Sequence, residues 1–103
     1  MEGDEVMILE VAELRVKPGT INDFESNFRK ASKIISQMHG YIDHELHKCV
    51  ETADKYILLV KWNSIADHEI GFRKSPQYEE WKALLHHFYD PFPTVEHYVQ
   101  IRN

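Results

Sequence analysis

Apolar and polar positions divide the chain into six blocks with two different periods. Val6 to Val16, VMILEVAELRV, is a nearly continuous run of strand-forming residues closed by Lys17-Pro18-Gly19, which predicts a strand ended by a turn. Val6, Ile8, Ala12 and Leu14 alternate there with Met7, Leu9 and Val11, so both faces are apolar, as expected of a strand covered on both sides. The period then changes. Phe24, Phe28, Ala31, Ile35 and Met38 recur at helical spacing behind Thr20 and Asp23, which resemble a capping box with Asp in place of Glu. Gly40 is expected to end that helix as a left-handed cap, with His39 adding charge near its negative end.

Tyr41 to Val50 returns to alternation, with Ile42, His44, Leu46 and Val50 set against Tyr41, Asp43, Glu45 and His47; the polar face predicts an edge strand. After a polar link, Lys55 to Trp62, KYILLVKW, is again apolar on both faces and completes a hairpin. The stretch from Ser64 to Tyr98 collects His68, His86, His87 and His97 with most of the large aromatics, and Gly71 and Pro76 break its helical part into two pieces. Ser75 can accept an N-cap bond, Pro76 suits the first helical position, and Glu79 and Glu80 favour the helix start. From Pro76 to about Phe88, Tyr78, Trp81, Leu85 and Phe88 share one face, while Glu79, Lys82 and His86 point elsewhere. Asp90-Pro91-Phe92-Pro93 reads as a rigid extended turn, and Thr94 to Ile101 as a last strand.

The resulting order is strand, helix, strand, strand, helix, strand, in which both helices cover one face of a four-stranded antiparallel sheet. The second face, apolar in Val6 to Val16 and Ile57 to Val60, is expected to pack against the same face of another subunit, giving a homodimer.

Composition narrows the partners. A length of 103 residues predicts one domain spanning 1–103. Twelve basic and seventeen acidic residues give a net charge of −5, and the only basic cluster is Arg73-Lys74, so neither nucleic acid nor an anionic membrane is an expected partner. A small molecule or another protein is. Cys49 stands alone, which rules out an intrachain disulfide and a cysteine-rich zinc site. His44 and His47 fall on opposite strand faces, His86 and His87 diverge on a helix, and His47 with Cys49 supplies too few ligands, so no metal is expected. The acidic start MEGDEV lacks a basic signal-peptide region and no apolar run approaches spanning length, which points to a cytoplasmic protein.

The element order, the Lys17-Pro18-Gly19 turn, the segment from Gly40 into Trp62-Asn63-Ser64 and the helix break before Ser75 together resemble the antibiotic biosynthesis monooxygenase (ABM) family over nearly the whole chain. That resemblance implies a ferredoxin-like α+β subunit, a dimeric α+β barrel, and a pocket between sheet and helices. It also implies a monooxygenase working without flavin or metal on a small aromatic or quinol-like metabolite, with no cofactor. Two alternatives are a non-catalytic or stress-related small-molecule binding protein and a haem-binding or haem-degrading relative. Aligned on Gly19 and Ser75, the haem-degrading branch places its Asn at Ala12, its Trp at Phe72 and its iron-ligating His at Lys82, and none matches. Of the family's two histidines flanking a Ser/Thr-Pro step, which would fall at Phe72 and Gln77, only Ser75-Pro76 itself is kept.

Oxygenation without a cofactor needs a base that ionises an electron-rich phenol or enol in a dry pocket, and histidine is the usual choice. His44 and His97 interrupt the aliphatic faces Ile42/Leu46 and Val95/Val99 and are the histidine candidates, although such a residue also serves as a satisfied core group. Glu10, an acid on the Ile8/Ala12 face, is either a general acid or base or the ion-pair partner of a neighbour such as Lys61. His68, Phe72, Tyr78 and Trp81 are expected to line the pocket.

Overall fold

The two-sided apolar run near the start of the chain forms β1 (Ile8–Arg15), an inner strand of the sheet, in a computed structural model that describes residues 7–102. Val6 lies outside the described residues. There follow α1 (Ile21–Ile35), β2 (Tyr41–Lys48), β3 (Lys55–Trp62), a π-helical segment (Asp67–Phe72), α2 (Pro76–Leu85), a 3-10 turn (His86–Phe88) and β4 (Val95–Tyr98). The strands lie in the order β2-β3-β1-β4 with every pair antiparallel, and the helices cover one face, which is the ferredoxin-like α+β arrangement. None of the described helices is long and apolar enough to cross a membrane.

Register decides which residues meet the helices. On β1 the even positions Glu10, Ala12 and Leu14 are buried, facing Val60, Leu58 and Tyr56 across β3. Against this row pack Phe24, Phe28, Ala31 and Ile35 from α1, then Phe72, Trp81, Leu85 and Phe88 from the later helical pieces. The odd positions Leu9 and Val11 face the other way, opposite Lys61 and Leu59, on the helix-free side. There the apolar strip is shorter than the sequence pattern promises, because Glu13 and Arg15 succeed Val11 and are exposed.

Several local expectations give way to specific geometry. Thr20 does not cap α1; its hydroxyl donates to the Lys17 carbonyl over 2.6 Å, so the Pro18-Gly19 turn claims it first. The helix ends at Ile35 rather than Met38, with the Ser36 N–H bonded to the Ser32 carbonyl and Gln37 and Met38 continuing as tight turns. Gly40 is left-handed (φ 83°), but it turns the chain into β2 instead of ending the helix. A β-bulge between Tyr41 and Asp43 brings Tyr41 onto the helix side with His44 and Leu46 and leaves Ile42 exposed, reversing the expected faces of those two residues. β2 stops at Lys48, and Val50 is 92% exposed rather than buried.

Candidate active site

Ser75 accepts the Tyr78 N–H over 3.2 Å and Pro76 takes the first position of α2, so the break in the helical region is built as the sequence implies. The break lets the π-helical segment lie over the β1–β3 seam while α2 follows α1. Between them and the sheet lies a cavity of about 50 Å³ lined by Glu10, Ala12 and Leu58 from the sheet, His68, Phe72 and Arg73 from the π-helical segment and its end, and Tyr78, Trp81 and His86 from the α2 region. Tyr89, Phe92, Pro93 and Val95 close the remaining side.

Glu10 is the cavity's unusual wall residue. Its side chain is 8% exposed, and its Oε1 accepts the Trp62 indole N–H over 2.9 Å while lying 3.4 Å from His68 Nε2. Burial raises its pKa to about 7 against the opposing pull of the Trp62 bond and the nearby positive charge of Arg73. His68 is 2% exposed, stacks against Trp62 with ring centroids 5.4 Å apart, and is pushed by burial, Arg73 and His97 down to a pKa of about 3. The 3.4 Å contact is therefore that of a neutral imidazole with a carboxyl group, not an ion pair, since loss of hydration outweighs the attraction of a half-ionised acid. On its other side, His68 Nδ1 lies 2.9 Å from His97 Nε2.

The structure thus brings Glu10, His68 and His97 into one row, in which His68 and His97 are hydrogen-bonded and Glu10 lies 3.4 Å from His68, and it gathers Phe72, Tyr78 and Trp81 around the same cavity. His44 is elsewhere. Its ring bonds to Tyr41 Oη at 2.5 Å and Ser32 Oγ at 3.1 Å and packs on Phe28, and burial lowers its pKa. Lys61 is not the partner of Glu10: it lies opposite Leu9 and Asp43, on the helix-free face. His86, expected to point away, lines the cavity because the 3-10 turn succeeding α2 rotates it inward against Tyr78, Tyr89 and Phe92, and burial depresses its pKa to about 4. Arg73, Tyr89 and Phe92 also escape a pattern reading, since no periodicity carries across a helix end or a Pro-rich turn. No group of three or more His, Cys, Asp or Glu among the described residues is arranged to hold a metal ion.

A small cavity between sheet and helices, with a buried acid of near-neutral pKa at its base, makes this region the candidate site of a ferredoxin-like subunit. The family model for antibiotic biosynthesis monooxygenases matches residues 7–84, and the chain belongs to that family. The uncharacterised protein YczJ of Bacillus subtilis is 55% identical over 95 residues, covering 92% of this chain and 100% of YczJ. The solved structure of a provisionally assigned antibiotic biosynthesis monooxygenase from Bordetella bronchiseptica superposes with a TM-score of 0.90 at 30% identity, covering 94% of this chain and 99% of that one. The cofactor-independent oxygenase SnoaB of Streptomyces nogalater shares the fold, with a TM-score of 0.72 at 17% identity over 95% of this chain and 94% of its own.

Proposed function

We propose that this protein is a cofactor-independent monooxygenase of a small electron-rich phenol, anthrone or quinol, with Glu10 as the base. One observation carries the reading: a carboxyl whose pKa is raised to about 7 lines an aromatic-walled cavity and is backed by a neutral imidazole. A base poised near the working pH is both ionised often enough and basic enough to remove a proton of comparable acidity. With an anthrone, Glu10 takes the proton from the acidic CH2 carbon, and the carbanion passes its electrons to O2 and forms a C–O bond. Glu10 returns a proton to the resulting peroxide, and loss of water leaves a carbonyl. The substrate CH2 is oxidised by four electrons and O2 reduced by four, one oxygen atom leaving as water. Arg73, at the wall, offsets the developing negative charge, and Phe72, Tyr78 and Trp81 supply ring faces and edges for the substrate.

The cavity is well below the usual few hundred Å³ of a ligand pocket, so a ring substrate such as an anthrone enters by displacing Phe92, which lines the cavity and is 62% exposed. Oxygen uptake by purified protein across a panel running from substituted hydroquinones to hydroxylated anthrones tests the proposal. Uptake above background for at least one member, abolished in Glu10→Gln, is expected; uptake equal to background across the panel overturns it in favour of a binding protein. We further propose that the protein works as a homodimer through its helix-free sheet face, which Leu9, Val11, Ile57 and Leu59 make apolar at its centre.

A further inference from the structure

His97 does not line the cavity, yet it is tied to a residue that does. Following the polar atoms outward from Glu10, Oε1 lies 3.4 Å from His68 Nε2, His68 Nδ1 lies 2.9 Å from His97 Nε2, and His97 Nδ1 lies 4.0 Å from Glu69 Oε2. Side-chain exposure along the row is 8%, 3%, 14% and 49%, so it runs from the interior to the surface. We propose that His68 and His97 form a proton-conducting row that joins Glu10 to solvent at Glu69, so that Glu10 exchanges protons with bulk water while substrate fills the cavity. The inference rests on the reading of Glu10 as the acid–base group; His97 would be a positioning and relay residue that never touches substrate.

The chemistry of the row is specific to imidazole. A neutral imidazole accepts at one ring nitrogen and donates at the other, whereas an amide at either position could bond but could not pass a proton through. In one direction the carboxyl proton goes to His68 Nε2, the His68 Nδ1 proton goes to His97 Nε2, and the His97 Nδ1 proton leaves to water or Glu69. Each ring gains one proton and loses one. No imidazolium is formed, which suits a His68 whose burial disfavours the charged form. The opposite tautomers carry a proton inward. The first link, at 3.4 Å, is longer than an ordinary N–H···O bond and must tighten by a few tenths of an ångström for transfer. The fold supplies the alignment: Glu10 and His97 are direct cross-strand neighbours in the β1–β4 register, and the π-helical segment holds His68 above both. Trp62 Nε1 and His68 Nε2 both lie against Oε1 of the carboxyl, at 2.9 and 3.4 Å.

The consequence lies in the fate of the abstracted proton. With the row intact it can leave before the carbanion recaptures it; without the row it stays on Glu10 and returns. Under anaerobic conditions in D2O, the wild-type protein is expected to exchange deuterium into the acidic C–H of a bound anthrone. In His97→Gln and His97→Ala the ratio of exchange to aerobic oxygen uptake should fall at least about tenfold, and added imidazole should restore it in His97→Ala only. A second measurement does not depend on turnover. NMR of ¹⁵N-histidine-labelled protein should show the His68 ring N–H exchanging with water much faster in the wild type than in His97→Gln, although the ring is 2% exposed. Equal N–H exchange in wild type and variants, or an unchanged exchange-to-uptake ratio, overturns the relay. Absence of oxygen uptake in the wild type with the N–H difference present overturns the oxygenase reading and leaves the relay standing.

Discussion

The indole N–H of Trp62 donates to Glu10 Oε1 over 2.9 Å, with the Trp62 ring fully buried and the Glu10 side chain 8% exposed. The two are diagonal neighbours on the helix side of β1 and β3, since Glu10 faces Val60 and Trp62 faces Ile8. A donor aimed at a buried carboxylate stabilises its ionised form, so Trp62 holds the acid near neutrality where burial alone would push it further up. Trp62→Phe keeps an aromatic ring and removes the donor. The ascending limb of the kcat/KM–pH profile is then expected to move up by about one unit or more, from the roughly 1.5–3 kcal/mol of a hydrogen bond to a charged group. An unshifted limb would mean that Glu10 does not set it.

Glu10 also links stability to pH. Its folded-state pKa of about 7 lies above the ordinary 4.5, so the neutral acid is favoured in the folded protein. That contribution is fully present below pH 4.5 and is lost as pH rises to about 7, a change of roughly 3 kcal/mol at most. His68 works in the opposite sense: its folded pKa of about 3 gives stability that is present above pH 6.5 and lost on acidification. The wild-type profile alone therefore conceals the carboxyl. The difference in unfolding free energy between wild type and Glu10→Gln isolates it, and should decline between pH 4.5 and 7 and then level off. A constant difference would show that the acid is not buried as described.

Gly40 couples the start of β2 to the segment that carries His68. Its φ is +83°, and a Cβ added there would overlap the side chain of Asp67, whose carboxylate accepts the Ser64 hydroxyl over 3.0 Å. Gly19 has the same φ with nothing near its missing Cβ. Gly19→Ala should therefore cost only the backbone strain, about 1–2 kcal/mol, whereas Gly40→Ala should cost clearly more. Urea unfolding of the two variants tests this, and equal losses would mean that Asp67 moves aside without penalty.

What the sequence disclosed and what it withheld follow from the range of the interactions involved. β3 is legible to the residue, Lys55 to Trp62, because a polar link and Asn63-Ser64 bound an unbroken apolar run. The α2 start is legible because Ser75-Pro76 acts locally. The end of α1 is not, since competing turns at Gln37 and Met38 satisfy the same backbone groups that a longer helix would. His44 and His97 look alike in sequence, each a histidine between aliphatic neighbours on a strand. Only register separates them: β4 sets His97 beside Glu10, while the bulge and edge position of β2 send His44 to Ser32 and Tyr41. The Glu10–His68–His97 row depends on contacts 29 and 58 residues apart in sequence, which no local pattern encodes.

The proposed homodimer makes the last prediction. Leu59 is the direct cross-strand partner of Val11, at the centre of the helix-free face, with Leu9 and Ile57 along the same strands and exposed Met7 and Tyr98 on that side. Charged residues surround this strip: Glu13, Arg15 and Lys55 at one end, Lys61 and Asp43 toward the other, and Glu45 and Glu96 at the flanks. An apolar centre inside a charged rim is the layout of an interface, and joining two copies through it would bury at least about 1,600 Å². The face belongs to the sheet that also carries Glu10, so loss of the proposed partner would expose the back of the candidate site's floor to water. Dissociation is then expected to coincide with unfolding. Val11→Asp would bury an unpaired charge at the centre of the contact, cost several kcal/mol and give insoluble protein, whereas Arg15→Ala, at the exposed rim, should leave assembly intact. Light scattering at micromolar concentration should return about twice the 12.2 kDa of one chain. A folded, monodisperse monomer would overturn the assembly and leave Leu59 and Val11 as an exposed apolar pair without a partner.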